Sequence, residues 1–345
     1  MMKIAYKNDM KFFASDEYNY SFNVKNGNFI RFGKTIDDDP QWSPFGPELL
    51  DVEISTKCSR GCNFCYKSNT KDGENMTLEK FSMILKKIPQ TLCQIALGIG
   101  DIDGNPDLFK ILRECRRHLV VPNITINGSG LDVMSANKLA TICGAIAVSH
   151  YGNECFDAIA ILKQEGAQQV NIHQLLSEET KEECWALIDD ERIKDVNAIV
   201  FLSGKPKGRG MNVKPVSRED YKAFVNTLLA KKIRFGFDSC GADKFLDVVK
   251  GHPSEKYFKT VVEPCESTLF SLYINVKGIA YPCSFLEGEW DGTQVLGVKD
   301  YYNDNWKVRG HEVDEFIKDV WNSEPIARFR KTILAHGRTC PVYKI

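Results

Sequence analysis

From residue 49 onward the chain alternates between two apolar patterns. Short runs rich in Val, Ile and Leu occur at 49–55 (LLDVEIS), 93–100 (CQIALGIG), 122–128 (PNITING), 144–151 (GAIAVSHY), 168–176 (QQVNIHQLL) and 196–204 (VNAIVFLSG). Between them, at 78–88, 107–119, 133–143, 155–165 and 181–191, apolar residues recur every three or four positions, and a further such segment, 218–232, follows the sixth run. Near-continuous apolar runs read as strands covered on both faces, and the longer period reads as amphipathic helices. Strand–helix alternation of this kind predicts a parallel sheet. Six units in about 180 residues suit an open, partial (β/α)6 barrel of the TIM type. In such α/β architectures the chemistry lies at the carboxyl ends of the strands.

The flanks follow other patterns. NYSFNVKNGNFIRFGK alternates apolar and polar positions around Asn26-Gly27, which predicts a β-hairpin, and DDDPQWSPFGPE reads as a Pro-rich linker. Past residue 233 the βα alternation stops. PCESTLFSLYINVKGIAYPCSF reads as two short strands joined at Lys277-Gly278. The expected organisation is a small N-terminal extension and linker (1–45), an α/β partial barrel (46–235) and a small C-terminal domain (236–345).

One short run changes this from a fold into a chemical reading. ISTKCSRGCNFCYK places Cys58, Cys62 and Cys65 in a CxxxCxxC spacing directly after the first strand, at the face where chemistry is expected. Three thiolates spaced so closely can hold three irons of a [4Fe–4S] cluster and leave the fourth iron open to a ligand. The alternatives are a zinc loop or three unrelated thiols. A structural zinc site calls for a fourth Cys or His nearby, and none lies within this loop. Nothing in MMKIAYKNDMKFF forms the apolar core of a secretory signal, and no apolar run reaches the length of a membrane span. Twelve cysteines in that setting point to a reducing cytoplasm, where thiols bind metal or stay free. A net charge of −1 gives no overall pull toward nucleic acid or anionic lipid.

Further candidates sit at the other strand ends. The second strand runs into IALGIGDIDGNPDLF, where glycine lets backbone approach a ligand closely or simply turns the chain toward a helix capped near Asn105. Asn127 and Gly128 end the third strand. Ser149, His150 and Tyr151 end the fourth; His150 and Tyr151 are the candidate catalytic residues, since imidazole titrates near neutrality and a phenol can relay a proton or hydrogen atom. A purely structural role is open for both. On the fifth strand Asn171, His173 and Leu175 share one face. The sixth ends in FLSGKPKGRGMN, whose glycine spacing is not a dinucleotide fingerprint. Its Lys205, Lys207 and Arg209 form either a basic lip for an anion or an ordinary solvated loop.

The cysteine run with its aromatics, CNFCY carrying Phe64 within and Tyr66 after, resembles the radical S-adenosylmethionine (radical SAM) family. The resemblance implies Cys58, Cys62 and Cys65 as cluster ligands, an open iron chelated by the methionine amine and carboxylate of SAM, and reductive cleavage to a 5′-deoxyadenosyl radical that takes a substrate hydrogen atom. It places Tyr66 against the adenine. Ile99-Gly100-Asp101 stands where the family usually reads GGE, with Ile for one Gly and Asp for Glu. Asp101, or alternatively Asp103, would then accept the SAM amino group. Asn127 and Gly128 would face the cofactor or simply turn the chain, Ser149 would face its carboxylate or ribose, and His173, in preference to Asn171, the ribose hydroxyls. The PKGRG segment is similar to one that closes many cores of the subgroup with an extra cluster domain.

Cys265, Gly278 and Cys283 fit Cx12Gx4C, which resembles the opening of the SPASM module or its shorter relative, twitch. This implies a second [4Fe–4S] cluster on Cys240, Cys265, Cys283 and Cys340, with zinc the alternative for a four-cysteine site. Cys93, Cys115, Cys143, Cys155 and Cys184 read as buried small hydrophobes. The expected activity is radical modification of a peptide or protein side chain. Oxidation or rearrangement of a small molecule, nucleoside or nucleic-acid base is the alternative, and a non-catalytic iron–sulfur or zinc protein is a different class. Flavodoxin or ferredoxin is the expected one-electron reductant. The N-terminal hairpin is too small to be the winged-helix leader-binding domain of many peptide-modifying relatives.

Overall fold

The structure, a computed structural model, describes residues 2–296 and 316–343. The chain opens with a four-stranded antiparallel sheet in the order β1 (Lys3–Lys7), β2 (Met10–Ala14), β3 (Asn19–Asn23) and β4 (Phe29–Phe32). The expected hairpin is its second half, with Gly27 at φ 76° in the turn. The first half is a second hairpin that the sequence analysis did not identify. It closes on Asn8 and Asp9, both left-handed (φ 48° and 62°), which suits the right-handed twist of the paired strands. Phe13, Tyr20 and Phe22 alternate to one face and are buried. That face packs on Cys93 and Val121, where the second and third barrel strands begin, so the sheet covers the amino ends of the barrel strands. The buried Lys11 ammonium donates to the Leu92 carbonyl over 2.6 Å there.

The barrel strands form where the apolar runs predicted them: β5 (Leu49–Glu53), β6 (Gln94–Gly98), β7 (Val121–Ile126), β8 (Ile146–Ser149), β9 (Val170–Leu176) and β10 (Ala198–Ser203). All are parallel to their neighbours. The helices between them are α1 (Leu78–Lys87), α2 (Leu108–Arg117), α3 (Val133–Ile142), α4 (Asn153–Gln164) and α5 (Lys181–Asp189), and α6 (Arg218–Lys231) follows β10. Thr77, Asp132 and Ser217 cap α1, α3 and α6 by accepting from the backbone N–H three residues on. The core is the layer between sheet and helices, with Leu112, Leu139, Leu162 and Leu228 fully buried.

The sheet does not stop at six strands. A seventh parallel strand, β11 (Phe235–Phe237), pairs with β10, and α7 (Ala242–Val248) and α8 (Glu255–Val261) follow it. At the other edge β12 (Ser271–Ile274) pairs parallel to β5, and β13 (Ile279–Tyr281) and β14 (Thr293–Gln294) add antiparallel. The β12–β13 turn at Gly278 (φ 82°) is the one expected. The result is one ten-stranded sheet, β11-β10-β9-β8-β7-β6-β5-β12-β13-β14. The C-terminal hairpin therefore extends the barrel sheet. α9 (Glu324–Ala335) packs Phe329 and Ile333 back onto the N-terminal sheet.

Candidate functional site

The cysteine loop follows β5 and is closed at its base where Cys58 N–H donates to the Thr70 carbonyl over 2.9 Å. Residues 58–69 have little regular structure of their own, so most of what holds them comes from outside. Asp101, at the carboxyl end of β6, accepts from the Ser59 N–H over 2.7 Å with one oxygen and from the Asn127 amide over 2.8 Å with the other. Arg209 grips the far side: its Nε donates to the Cys62 carbonyl and its Nη1 to the Asn69 carbonyl, each over 2.9 Å, while its backbone N–H donates to the Cys65 carbonyl over 3.0 Å. A planar fork suits two carbonyls at fixed spacing better than a lysine would.

Two glycines make these contacts geometrically possible. A Cβ on Gly100 would lie 2.6 Å from Cys58 Cβ and 2.9 Å from its sulfur. One on Gly208, already at φ +57°, would lie 2.4 Å from the Tyr66 carbonyl. The GKPKGRG segment is thus a clamp on the cysteine loop. It is not a solvated loop. Lys205 is buried and paired with Asp238 at 2.6 Å, and Lys207 donates to the Phe285 carbonyl over 2.8 Å and to that of Glu287. The expected basic lip is therefore spent on internal contacts, except for one buried Arg209 nitrogen, Nη2, that has no partner.

Cys58, Cys62 and Cys65 form one end of a cavity of about 500 Å³, lined by residues from β5 through β10 and by Tyr273 of β12. Of the sequence candidates, Tyr66, Gly100, Asn127, Ser149, His150, Tyr151 and His173 line it. Ser149 and His173 are register partners on β8 and β9. Burial pushes the His173 imidazole down to about 4, so it is neutral at physiological pH. His150 Nδ1 lies 2.6 Å from Gln174 Oε1, and burial lowers its pKa also. The Tyr151 hydroxyl meets the Cys62 sulfur at 3.3 Å; burial first, then this contact, pushes its pKa well up. Tyr66 donates to Ser284 Oγ over 3.2 Å and lies 4.4 Å from the Phe285 ring, so it ties the loop to the C-terminal domain. Asp101 stands behind the wall, its carboxylate already occupied, and Asp103 is exposed; neither lines the cavity. Asn171 does not line it either.

The sequence analysis missed the polar wall opposite the cysteines. Asp51 and Glu53 on β5, Lys67 on the loop and Tyr273 on β12 all line the cavity. Lys67 reaches Glu53 at 2.9 Å, Tyr273 Oη at 2.7 Å, and Glu287. Burial works against its ammonium, yet Glu53 and Glu287 carry its pKa above the usual value. Burial pushes the Asp51 carboxyl up to about 6, against the pull of the Lys67 charge and a hydrogen bond from Ser284. The signal was available: in LLDVE, Asp51 and Glu53 alternate onto one face of a strand otherwise built for a core.

The C-terminal cysteines converge from four segments: Cys240 after β11, Cys265 before β12, Cys283 after β13 and Cys340 after α9. Burial raises Cys240, which also senses Cys265 and Cys283; burial likewise raises Cys265, which senses Cys340. Burial pushes Cys283 up to about 12, with Cys265 and Cys340 adding to it. These influences place the four thiols in one region, although among the described residues no three Cys, His, Asp or Glu side chains stand close enough together to hold a metal ion. Four thiols in one region suit a soft cation or cluster, which would supply the positive charge their thiolates need. Cys93, Cys115, Cys155 and Cys184 are buried in the core as expected, and Cys143 is partly buried.

Residues 265–341 match the family model of SPASM, an iron–sulfur cluster-binding domain. The fold is similar to that of Streptococcus suis SuiB bound to precursor peptide SuiA (TM-score 0.65, 13% identity, covering 89% of this chain and 89% of that one). It is also similar to SuiB bound to S-adenosylmethionine (TM-score 0.57, 14% identity, 76% and 67%). A third likeness is to native anSMEcpe with bound AdoMet and Cp18Cys peptide (TM-score 0.51, 18% identity, 69% and 74%). No curated protein matches the sequence. The chain thus shares the fold of SuiB and anSMEcpe, and its C-terminal part matches the SPASM iron–sulfur cluster-binding domain.

Proposed function

We propose that this protein is a radical SAM enzyme that modifies a peptide or protein side chain. The observation that carries the reading is the placement of Cys58, Cys62 and Cys65 together at one end of a strand-lined cavity, on a loop clamped by Asp101 and Arg209. The three thiols are one donor short of saturating a four-iron cluster, and Gly100 leaves room for nothing but backbone behind Cys58. A [4Fe–4S] cluster held by these cysteines would, with SAM on its open iron, supply a carbon radical able to take a hydrogen atom from a substrate C–H bond.

The rest is the work of the chain itself. Gly100 brings the β6 backbone to the cluster loop, where SAM's amino acid portion would lie. Asn127, Ser149 and His173 offer neutral polar groups along the cavity, suited to hydroxyls and a carboxylate. Tyr66 seals the side facing the C-terminal domain. The apolar floor from Leu97, Leu175 and Leu202 excludes water from a reactive radical. Cys240, Cys265, Cys283 and Cys340 would hold the second cluster, which could take up an electron or orient a substrate; Lys205 of the cavity wall contacts Cys240.

A peptide substrate is favoured because two proteins of this fold are seen with peptides bound, SuiB with its precursor SuiA and anSMEcpe with Cp18Cys. The reductant would be a small one-electron donor of the flavodoxin or ferredoxin class. Among the described residues no helix is long and apolar enough to cross a membrane. The test is anaerobic reconstitution followed by reduction with SAM present. Release of 5′-deoxyadenosine and about eight irons per chain are expected for two four-iron clusters. Iron near four with one zinc would remove the second cluster, and no nucleoside release would remove the enzyme.

A further inference from the structure

Tyr151 was a candidate for direct chemistry, but its surroundings give it a different task. It stands two residues past the end of β8 with its hydroxyl 3.3 Å from the Cys62 sulfur. Three neighbours fix the ring that carries the hydroxyl. Phe64 stacks on it with centroids 6.3 Å apart and planes only 8° from parallel. The Arg60 guanidinium lies 4.0 Å from the ring centre. Arg60 is itself anchored to Glu154 in the first turn of α4. Phe64, Arg60 and Cys62 belong to one loop, so the phenol is held by the same segment whose sulfur it meets.

A Cys62 thiol donates its S–H to the phenol oxygen. A metal-bound thiolate has no proton to give. The contact must then reverse, and the Tyr151 O–H becomes the donor to sulfur. Hydrogen bonds to ligand sulfur are one of the few means by which a protein sets the potential of an iron–sulfur cluster. A donor withdraws electron density from the thiolate and favours the form with one more electron. The cation over the ring works in the same direction, because it makes the O–H more polar.

We infer that Tyr151 is a positioning residue for the first cluster, which fixes Cys62 and raises the cluster's reduction potential through an O–H···S bond. This rests on the reading that Cys58, Cys62 and Cys65 hold that cluster. The C-terminal cysteines have sulfur donors of their own, the Lys205 ammonium at Cys240 and the Tyr343 backbone N–H at Cys340 over 3.3 Å, so a change at Tyr151 is read at the first site alone.

The test is Tyr151→Phe, which keeps the ring, its stack on Phe64 and the Arg60 contact, and removes only the donor. Both proteins are reconstituted anaerobically and titrated with dithionite, and the cluster signal that changes on adding SAM is followed by electron paramagnetic resonance. The expected result is unchanged iron content with a midpoint moved to more negative potential for that signal alone. Phe64→Leu serves as a packing control that leaves the hydroxyl in place. No shift in Tyr151→Phe, or an equal shift in Phe64→Leu, overturns the inference. Failure of the underlying reading looks different: the triple variant Cys58→Ala, Cys62→Ala, Cys65→Ala would then hold as much iron as the parent chain.

Discussion

The two cysteine sites are built in opposite ways. The first lies within eight residues of one loop and depends on neighbours from β6, β7 and the segment after β10 to hold its shape. The second draws on Cys240, Cys265, Cys283 and Cys340, and each sits beside a regular element that already fixes it. The first has all its cysteines on a cavity wall and the second has none there; Cys265 is buried, and the other six are partly exposed. A site meant to bind a further ligand needs an open face and an adjustable loop. A site meant to be saturated is better assembled by the fold. Closing four distant segments on one metal would also tie the fold together, so the second site is expected to contribute more to stability and the first more to chemistry.

Substitution of ligands should separate them most sharply. Cys58→Ala is expected to abolish 5′-deoxyadenosine release while the chain stays folded with about four irons. Cys283→Ala should lower the melting temperature and lose the other cluster, yet keep some SAM cleavage. Equal loss of cleavage in both variants would mean the sites are not independent. Next in size is Gly208→Ala, which demands a left-handed alanine with its Cβ 2.4 Å from a carbonyl. We expect a loss of ~3 kcal/mol or more in denaturant unfolding and poor iron retention at the first site. Gly278→Ala, in the hairpin turn of the second site at φ 82°, should cost only ~1 kcal/mol.

Asp51 stands between the two sites and gives a pH signature. Its folded pKa of about 6 lies above its ordinary 3.8, so folding disfavours the charged form. The stability it contributes is full below about pH 3.8 and is lost as pH rises through 6. Asp51→Asn should therefore be the more stable protein at pH 8, by at most ~3 kcal/mol, with the advantage vanishing near pH 3.8. Melting curves of the two proteins across that range decide it, and a pH-independent difference would exclude the effect. Arg209→Lys is expected to be as small a change as Gly278→Ala. It keeps the charge but loses one of two carbonyl contacts, costing ~1 kcal/mol and loosening the first site only.

Where the sequence was legible, local physics decided the outcome. All six barrel strands and their helices follow from apolar period, because a doubly covered strand and a one-sided helix need different patterns. The Cys58 loop was legible because its three cysteines share one short segment. β11 was not, since Phe235-Gly236-Phe237 is three residues long and its pairing is set by β10 rather than by its own pattern. The β1–β2 hairpin escaped because Asn8-Asp9 lacks the glycine that usually marks such a turn. Lys205, Lys207 and Arg209 read as a solvated or anion-binding lip because lysine and arginine seldom lie inside; their partners Asp238, Phe285 and Cys62 are far away in sequence. Asp101 matched its motif position, yet its carboxylate holds Ser59 and Asn127, a geometry no linear spacing can reveal.

The placement of β12 beside β5 sets an order of assembly. Until residues 271–274 have been synthesised, the strand that launches the iron-binding loop has a bare edge, and the Tyr66 and Lys67 side chains lack their counterparts on Ser284 and Glu287. A ribosome-bound fragment ending near residue 240 would carry all three motif cysteines and still hold iron poorly. If Cys58, Cys62 and Cys65 hold iron as proposed, loading is expected to follow completion of the C-terminal strands, and truncation from the far end should weaken a motif that lies more than 200 positions upstream.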